Sequence, residues 1–277
     1  MNKKITFLSG GLGNQMFQYA FYLSLRERGV NVTLDASGFS EVKMHNGMEL
    51  EKVFGIQGIK LKYSAIHHLF NRVLLHYKPN VLMFRENIYQ YTPEVYTAKQ
   101  LFLKGNWLNE KYLEPIAEKV KKTFRFRGIS EQNSQLAGQM QNENSVSIHI
   151  RRGDYLNLPD YNVCDEHYYD EAINHILNNV ESPVFYVFSN DPEWCREYFK
   201  KYDVDFHIID WNQGEDSFQD MYLMTRCHHN IIANSTFSWW GAWLNVNEDK
   251  IVVSPKRWFR SDFKNLNCKG WQLIENI

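Results

Sequence analysis

The chain has 277 residues, of which 44% are hydrophobic and 15% aromatic, enough for sizeable cores and, at usual domain sizes, two domains. A formal net charge of −1 gives no overall positive field, so we predict no nucleic-acid partner. The four cysteines are far apart without a Cys-x-x-Cys pair, a pattern that signals neither metal binding nor redox chemistry.

The amino terminus predicts no targeting segment. Residues 5–8 form only a short apolar run before the first glycines, too short for a signal peptide or a membrane span. We therefore expect a soluble, cytoplasmic protein whose cysteines remain free thiols.

The first half begins with a predicted strand, glycine loop and helix. Ile5–Leu8 has strand character, residues 9–13 are rich in glycine, and residues 14–28 carry apolar side chains at helical spacing. A second strand, Val30–Leu34, ends at Asp35, and the whole segment imitates a dinucleotide-binding fingerprint.

The glycine loop has two interpretations. Gly11 and Gly13 match the first two glycines of that fingerprint, but Met16 stands at the third position, where its bulk hinders close packing of helix on strand. Asn14 and Gln15 lie at the predicted helix start, where amides can approach a polar ligand. A polar-ligand loop is favoured over a dinucleotide site.

The next segment is irregular and carries little predicted chemistry. Residues 39–91 are rich in aromatics, with an amphipathic helix predicted over 60–78. Leu101–Trp107 predicts a strand and turn in which Trp107 is favoured as a core residue, although sugar stacking is the alternative. Residues 110–124 predict a helix that closes a domain.

A polar stretch divides the chain. Residues 129–144 carry many Ser, Gln, Asn and Glu side chains and are predicted to link an acceptor-side lobe, 1–128, to a donor-binding lobe, 145–277. A short helix within this linker is compatible with its composition.

The second half repeats one pattern, an apolar strand that ends at a polar cluster. The strands are predicted at Ser145–Ile150, Pro183–Phe188, Asp205–Ile209, Asn230–Ala233 and Lys250–Val253. Helices are predicted between them at His167–Asn178, Pro192–Lys201 and Ser217–Arg226. This alternation predicts a parallel sheet whose ligands bind beyond the carboxyl ends of its strands, where Ser189 and Asp191 fall.

Two arginines follow the strand that ends at Ile150. Arg151 and Arg152 can offer forked, permanently charged donors to a diphosphate, and Asp154 can hold a guanidinium in place. A surface ion-pair cluster is the structural alternative, and the two interpretations have similar weight from these residues alone.

Residues 234–244 predict a strand end that feeds a helix. Ser235 and Thr236 suit capping of that helix, and the same hydroxyls and free amides suit phosphate binding. Asp203 and Asp205 form the single Asp-x-Asp, but they lie at the start of a strand, opposite the proposed site. We therefore predict no metal ligands.

These motifs together resemble the α-1,2-fucosyltransferases of glycosyltransferase family 11. The resemblance rests on three stretches in order along nearly the whole chain: Gly10–Ala20, His149–Tyr155 and Asn234–Trp240. It implies an α/β fold with two Rossmann-like lobes of the GT-B type and an active site in the cleft between them. It also implies inverting transfer of fucose from GDP-β-L-fucose to the 2-hydroxyl of a terminal β-galactoside, with no cofactor and no required metal.

The resemblance also implies roles for single residues. His149 and Asp220 would contact the guanosine, and Asp154 would orient Arg151 and Arg152 on the diphosphate. Asn14 would lie near the reacting sugar. The further predicted donor-binding residues are Gly11, Gly13, Gln15, Ser189, Asp191, Asn234, Ser235, Thr236 and Ser238.

Two other functions remain open at this level. One is a non-catalytic module that binds a nucleotide sugar or glycan, and the other is an NAD-dependent oxidoreductase based on Gly11, Gly13 and Asp35. The sequence does not identify the natural acceptor glycan, the oligomeric state, a general base, or a peripheral contact with a membrane that carries lipid-linked glycan.

Overall fold

The computed structural model describes residues 3–41, 46–59, 79–87, 90–261 and 266–277. The chain divides into two compact units, Met1–Arg127 and Gly128–Ile277, each built around one parallel sheet. The helix predicted over 60–78 lies outside the described residues. Within those ranges, no helix combines the length and the apolar character needed to cross a membrane.

The first unit has a four-stranded sheet in the order β2-β1-β4-β3, with every pairing parallel. Short 3-10 helices lie at Pro93–Tyr96, Glu110–Tyr112 and Glu114–Ile116. The other elements in chain order are β1 (Lys4–Phe7), α1 (Leu12–Glu27), β2 (Val32–Asp35), α2 (Gly38–Glu41), α3 (Leu50–Phe54), α4 (Pro79–Leu82), β3 (Met83–Arg85), β4 (Phe102–Lys104) and α5 (Ala117–Thr123).

Helix α1 supplies much of the core of this unit. Met16 and Phe21 are fully buried because the apolar residues recur at helical spacing on one face. The ring of Phe21 stacks on the indole of Trp107, with 3.8 Å between ring centroids, and Trp107 is also fully buried. The core interpretation of Trp107 is confirmed.

The helix predicted over 110–124 is interrupted. Two 3-10 turns occupy residues 110–116, and only Ala117–Thr123 is α-helical. Pro115 explains the difference, because proline lacks the backbone donor and clashes with the preceding turn of an α-helix.

The second unit has a six-stranded sheet in the order β10-β9-β8-β5-β6-β7, again with every pairing parallel. Short 3-10 helices lie at Gly153–Asn157, Phe199–Lys201 and Gly214–Asp216. The other elements in chain order are α6 (Glu131–Met140), β5 (Ser145–Ile150), α7 (Glu166–Asn179), β6 (Val184–Ser189), α8 (Pro192–Tyr198), β7 (Phe206–Ile209), α9 (Phe218–Met224), β8 (His229–Ile231), α10 (Thr236–Leu244), β9 (Val252–Pro255) and β10 (Gln272–Ile274).

Strand β5 lies inside this sheet, and all six of its residues are buried. Its alternation sends Val146 and Ile148 into one core cluster together with residues of α7 and α8. A second cluster contains Ala137 and Met140 of α6 with Leu223 of α9. Helices therefore cover both faces, as a parallel sheet requires.

The segment 129–144, predicted as a linker, is instead part of the second unit. Ser130 caps α6 by accepting the amide of Asn133, and Met140 is fully buried against the sheet. The polar composition misled the prediction because one narrow face, with Ala137 and Met140, is enough to dock a ten-residue helix.

The docking of α6 predicts a stability effect. Met140→Ala should lower the free energy of unfolding by about 2–5 kcal/mol because it leaves a cavity in a filled core. Urea unfolding followed by circular dichroism measures this change, with the exposed Gln132→Ala on the same helix as the matched control. Equal stability of the two variants would contradict the packing of α6 on the sheet.

Candidate functional site

Three neighbouring strands of the second sheet end in polar loops at one edge. Strands β8, β5 and β6 are adjacent and parallel, so the loops after them meet at the carboxyl ends. These loops carry the predicted residues 151–154, 189–191 and 234–238. The structure thus gathers most of the predicted donor-binding residues in one place.

His149 connects two of these loops. Its Nδ1 and the hydroxyl of Ser238 are hydrogen-bonded 2.8 Å apart, and its ring lies 5.8 Å from that of Phe237. Burial, followed by the nearby charge of Arg151, lowers the pKa of His149 from 6.5 to about 3. The imidazole is therefore neutral at physiological pH.

Arg151 is held by a carboxylate three residues further along the chain. Its guanidinium contacts the carboxylate of Asp154 at 2.8 Å and lies 5.1 Å from the ring centroid of Tyr155. The Arg151 side chain is 28% exposed and that of Asp154 is 53% exposed, so solvent or a ligand can reach the pair. Asp154 orients Arg151, as the resemblance implies.

Arg152 is held differently. Its Nε donates to Asp191 at 3.0 Å, and its guanidinium lies 4.1 Å from the ring centroid of Trp194. Its main-chain amide donates to Asn190 at 2.9 Å. Asp154, which was predicted to orient both arginines, orients only Arg151, because Asp191 is the carboxylate that pairs with Arg152.

Gly153 makes this close approach of the two loops sterically feasible. Its φ of +48° lies in the left-handed region, and a Cβ there would come within 2.3 Å of the Asn190 side-chain nitrogen. Any other residue would strain the backbone at this position and displace the Asn190 side chain, which accepts the Arg152 amide.

The turn after β6 is organised by its own side chains. The hydroxyl of Ser189 accepts the amide of Asp191 at 3.0 Å, and Asp191 caps α8 by accepting the amide of Trp194. Asp191 therefore both starts a helix and pairs with Arg152. The direct donor contacts predicted for these two residues stay predictions.

The start of α10 combines capping with open donors. Ser235 accepts the amide of Phe237, which is the capping alternative, and the Thr236 hydroxyl forms no protein hydrogen bond in the described part of the chain. Unpaired amides and a partial positive charge mark the first turn of such a helix. This turn can receive an anion beside Arg151.

Asn234 and Ser238 hold the loops through hydrogen bonds within the protein. The Asn234 amide nitrogen donates to the carbonyls of Tyr161 and Trp258, both at 2.9 Å, and its oxygen accepts from Cys164. The Ser238 hydroxyl is buried and hydrogen-bonded to His149. Direct contact of either side chain with the donor stays a prediction.

Asp220 lies beyond the end of β7, two strands from β5. Its carboxylate accepts a bond from Asn212 at 2.8 Å, and the Asn212 oxygen accepts one from the buried Asn133 at 2.7 Å. Burial raises the pKa of Asp220 to about 7, against the smaller opposing effect of the Asn212 bond. Guanosine binding by Asp220 stays a prediction.

In the first unit, the glycine loop leads from β1 into α1. Gly11 precedes the first helical residue, Gly13 is buried within the first turn, and Asn14 is half-buried there. Gln15 is fully buried: its nitrogen donates to the carbonyls of Gly10 and Gly47, and its oxygen accepts the amide of Glu49. Gln15 holds loops together in place of its predicted ligand contact.

The dinucleotide interpretation depends on Asp35 as the acidic residue that would bind a ribose. Asp35 is buried, and its carboxylate accepts the amide of Ser37 at 2.9 Å. A ribose-binding acid must offer its oxygens to the ligand, so the burial of Asp35 argues against the oxidoreductase alternative.

The sequence did not identify the residues that form hydrogen bonds or stacking contacts with the predicted site residues. Trp194 stacks on Arg152, and Asn190 accepts the main-chain amide of Arg152. Asn212 bonds to Asp220 through its nitrogen and to Asn133 through its oxygen. Asn190 lies between the predicted residues Ser189 and Asp191, but nothing in the spacing of Trp194 or Asn212 identifies their partners.

The Asp-x-Asp lies at the opposite edge of the sheet. Asp205 immediately precedes β7, at its amino end, whereas the arginines follow the carboxyl end of β5. Among the residues that the structure describes, no group of three or more His, Cys, Asp or Glu side chains could hold a metal ion.

Two α/β units, each built around one parallel sheet with polar loops at its carboxyl edge, have the architecture of the GT-B fold. A crystal structure of the NodZ alpha-1,6-fucosyltransferase co-crystallised with GDP, a protein from Bradyrhizobium, superposes with a TM-score of 0.51 at 13% identity, covering 87% of this chain and 92% of that one. The family model of glycosyl transferase family 11 matches residues 3–275. The chain belongs to this family.

Its relatives in the family include bacterial and mammalian enzymes. An alpha-1,2-colitosyltransferase of Escherichia coli is 33% identical over 270 residues, which cover 93% of each chain. Human galactoside alpha-(1,2)-fucosyltransferase 1 is 25% identical over 252 residues, which cover 85% of this chain and 64% of the human one. The predicted family and fold are confirmed.

The burial of His149 predicts its titration. We expect its ring resonances to stay constant from pH 8 to pH 5, because burial and the Arg151 charge lower its pKa to about 3. The unfolded chain takes up that proton near pH 6.5, so this group makes the native state less stable as pH falls below about 6.5. NMR titration with His149→Gln for assignment tests this, and a midpoint near 6.5 would contradict it.

Proposed function

We propose that the protein transfers L-fucose from GDP-β-L-fucose to the 2-hydroxyl of a terminal β-galactose in a glycan, with inversion at the sugar carbon. The observation that carries this proposal is that the neutral His149 is hydrogen-bonded to Ser238 in the first turn of α10 and is also close enough to Arg151 to be affected by its charge. The names of the relatives, which share an α-1,2 linkage, support the same transfer.

The chemistry follows from the charges at this edge. As the bond between the sugar carbon and the phosphate oxygen breaks, the acceptor oxygen forms its bond to that carbon, and negative charge develops on the diphosphate. The Arg151 fork and the amides of the first turn of α10 stabilise that charge. The acceptor proton passes to the departing phosphate, so no side chain is required as a general base.

The same arrangement leads us to propose transfer without a metal ion. A divalent cation stabilises a diphosphate leaving group in many transferases, and fixed cations with backbone amides can perform that task instead. Arg151 stays charged at any working pH. Arg152 pairs with Asp191 through its Nε, and its two terminal nitrogens provide further donors for the diphosphate.

A colitosyl donor is the second candidate. The colitosyltransferase relative shares 33% identity across nearly the whole length of both chains, so the donor sugar is a point on which family members differ. A donor panel that contains both sugars as GDP conjugates, with the same β-galactoside acceptor, separates the two candidates.

The first prediction for this function is turnover. Protein incubated with GDP-fucose and lactose in excess chelator should release GDP and form a 2′-fucosylated product, measured by coupled GDP detection and mass spectrometry. Binding of GDP-fucose without GDP release across a broad β-galactoside panel would favour the non-catalytic module. Dependence of turnover on added metal would refute the proposed role of the fixed charges.

The second prediction concerns Arg151. Arg151→Ala should lower kcat about 100-fold, the loss typical of removing a main stabiliser of transition-state charge. Arg196→Ala is the matched control, because Arg196 of α8 is ion-paired with Glu193 and Asp210 on the same unit. A kcat for Arg151→Ala close to that of the control would remove Arg151 from the mechanism.

A further inference from the structure

A second polar cluster lies at the carboxyl edge of the first sheet. Glu86 directly follows β3, and Gly105, Asn106 and Trp107 directly follow the neighbouring strand β4. Because β1 is parallel to β4 on its other side, the glycine loop after β1 ends at the same edge. Parallel sheets bind ligands at this edge.

The carboxylate of Glu86 gathers the backbone of the turn after β4. Its Oε2 accepts the amide of Trp107 at 2.6 Å. The amides of Asn106 and Leu108 lie close enough to oppose the effect of burial on its pKa. Within the described ranges no cation pairs with Glu86, and its burial raises the pKa to about 7.

The backbone conformation of this turn allows close contact with the Glu86 carboxylate. A Cβ at Gly105 would come within 2.5 Å of the Glu86 side chain, so only glycine fits there. Trp107 adopts a left-handed φ of +58°, which is uncommon for a bulky residue. Such a conformation persists when the surroundings over-determine it, and here the buried indole and the Glu86 bond do so.

The turn is joined to the glycine loop through one side chain. Gln18 of α1 donates to the Asn106 oxygen at 3.0 Å, and its own oxygen accepts the amide of Ser9 at 2.8 Å. The Ser9 amide can only donate, so the orientation of both side-chain amides is determined. The Asn106 nitrogen is left with two donors and no protein partner in the described chain.

We propose that Asn106 donates a hydrogen bond from its side-chain nitrogen to a hydroxyl of the acceptor sugar, and that Glu86 is the residue that positions Asn106. This inference rests on the proposed sugar transfer and adds a contact for its acceptor. Asn106 is half-buried, so one hydrogen bond formed there discriminates between hydroxyl positions more strongly than one in open solvent.

Asn106→Asp tests the contact. The new carboxylate keeps an acceptor for Gln18 but loses the donor, so kcat/KM for the acceptor should fall at least 10-fold while the affinity for GDP, measured by calorimetry, stays within twofold. Asn109→Asp is the control, because Asn109 accepts the amide of Lys111 and aspartate preserves that bond. An Asn106→Asp variant within twofold of the control would overturn the contact.

Glu86→Gln tests the positioning. It should give the same loss for the acceptor with unchanged GDP affinity, together with faster hydrogen exchange at the amides of residues 106–108. The exposed Glu94→Gln serves as control. Unchanged exchange, exchange that quickens without loss for the acceptor, or an equal loss of GDP affinity would overturn the positioning role.

Different results would contradict the proposed sugar transfer and the proposed Asn106 contact. If the wild-type protein transfers no sugar from any GDP donor, the proposed function fails, and so does the contact with an acceptor. If it transfers sugar normally and Asn106→Asp does too, only the contact fails. Hydrogen exchange in Glu86→Gln then still decides whether the carboxylate holds the turn.

Discussion

Parallel strand pairing is the constraint on which both units depend. Every pairing among the described strands is parallel, so each strand must be followed by a crossover and every strand-to-helix loop of a sheet leaves at the same edge. Residues far apart in sequence, such as Arg151 and Thr236, thereby reach one edge. The same rule brings the turn after β4 beside the glycine loop of the first unit.

At these edges, side chains divide into those that hold the loops and those that remain available. Gln15, Asn234 and Ser238 form side-chain hydrogen bonds within the protein, and Arg152 is ion-paired with Asp191 through its Nε. Arg151, Thr236 and the Asn106 nitrogen keep donors for a ligand. The hydrogen bonds of the residues that hold the loops matter for two reasons. A buried polar group without a partner destabilises the folded state, and a rigid loop keeps the remaining donors in position for a ligand.

Burial shifts the pKa values of the titratable groups at these edges in opposite directions. Burial keeps His149 neutral, whereas it raises the pKa of Glu86 and of Asp220 to about 7. A neutral imidazole beside Arg151 adds no further positive charge, so the positive charge after β5 comes from the guanidiniums of Arg151 and Arg152. The two carboxyl groups are stabilised only by amides, which makes their ionisation sensitive to the geometry of the loops around them.

The sequence by itself determined the strand-to-helix alternation, the parallel sheets, the family and the arginine pair, because periodicity and motif spacing are local properties. It could not show which carboxylate pairs with Arg151 and which with Arg152, or that residues 131–140 form a docked helix. It also left unseen the short edge strands β3 and β10, since three residues carry no period. Only the tertiary structure decided which donors form hydrogen bonds within the protein and which remain available to a ligand. These bonds join residues that are far apart in the sequence, and each amide can form only a few of them.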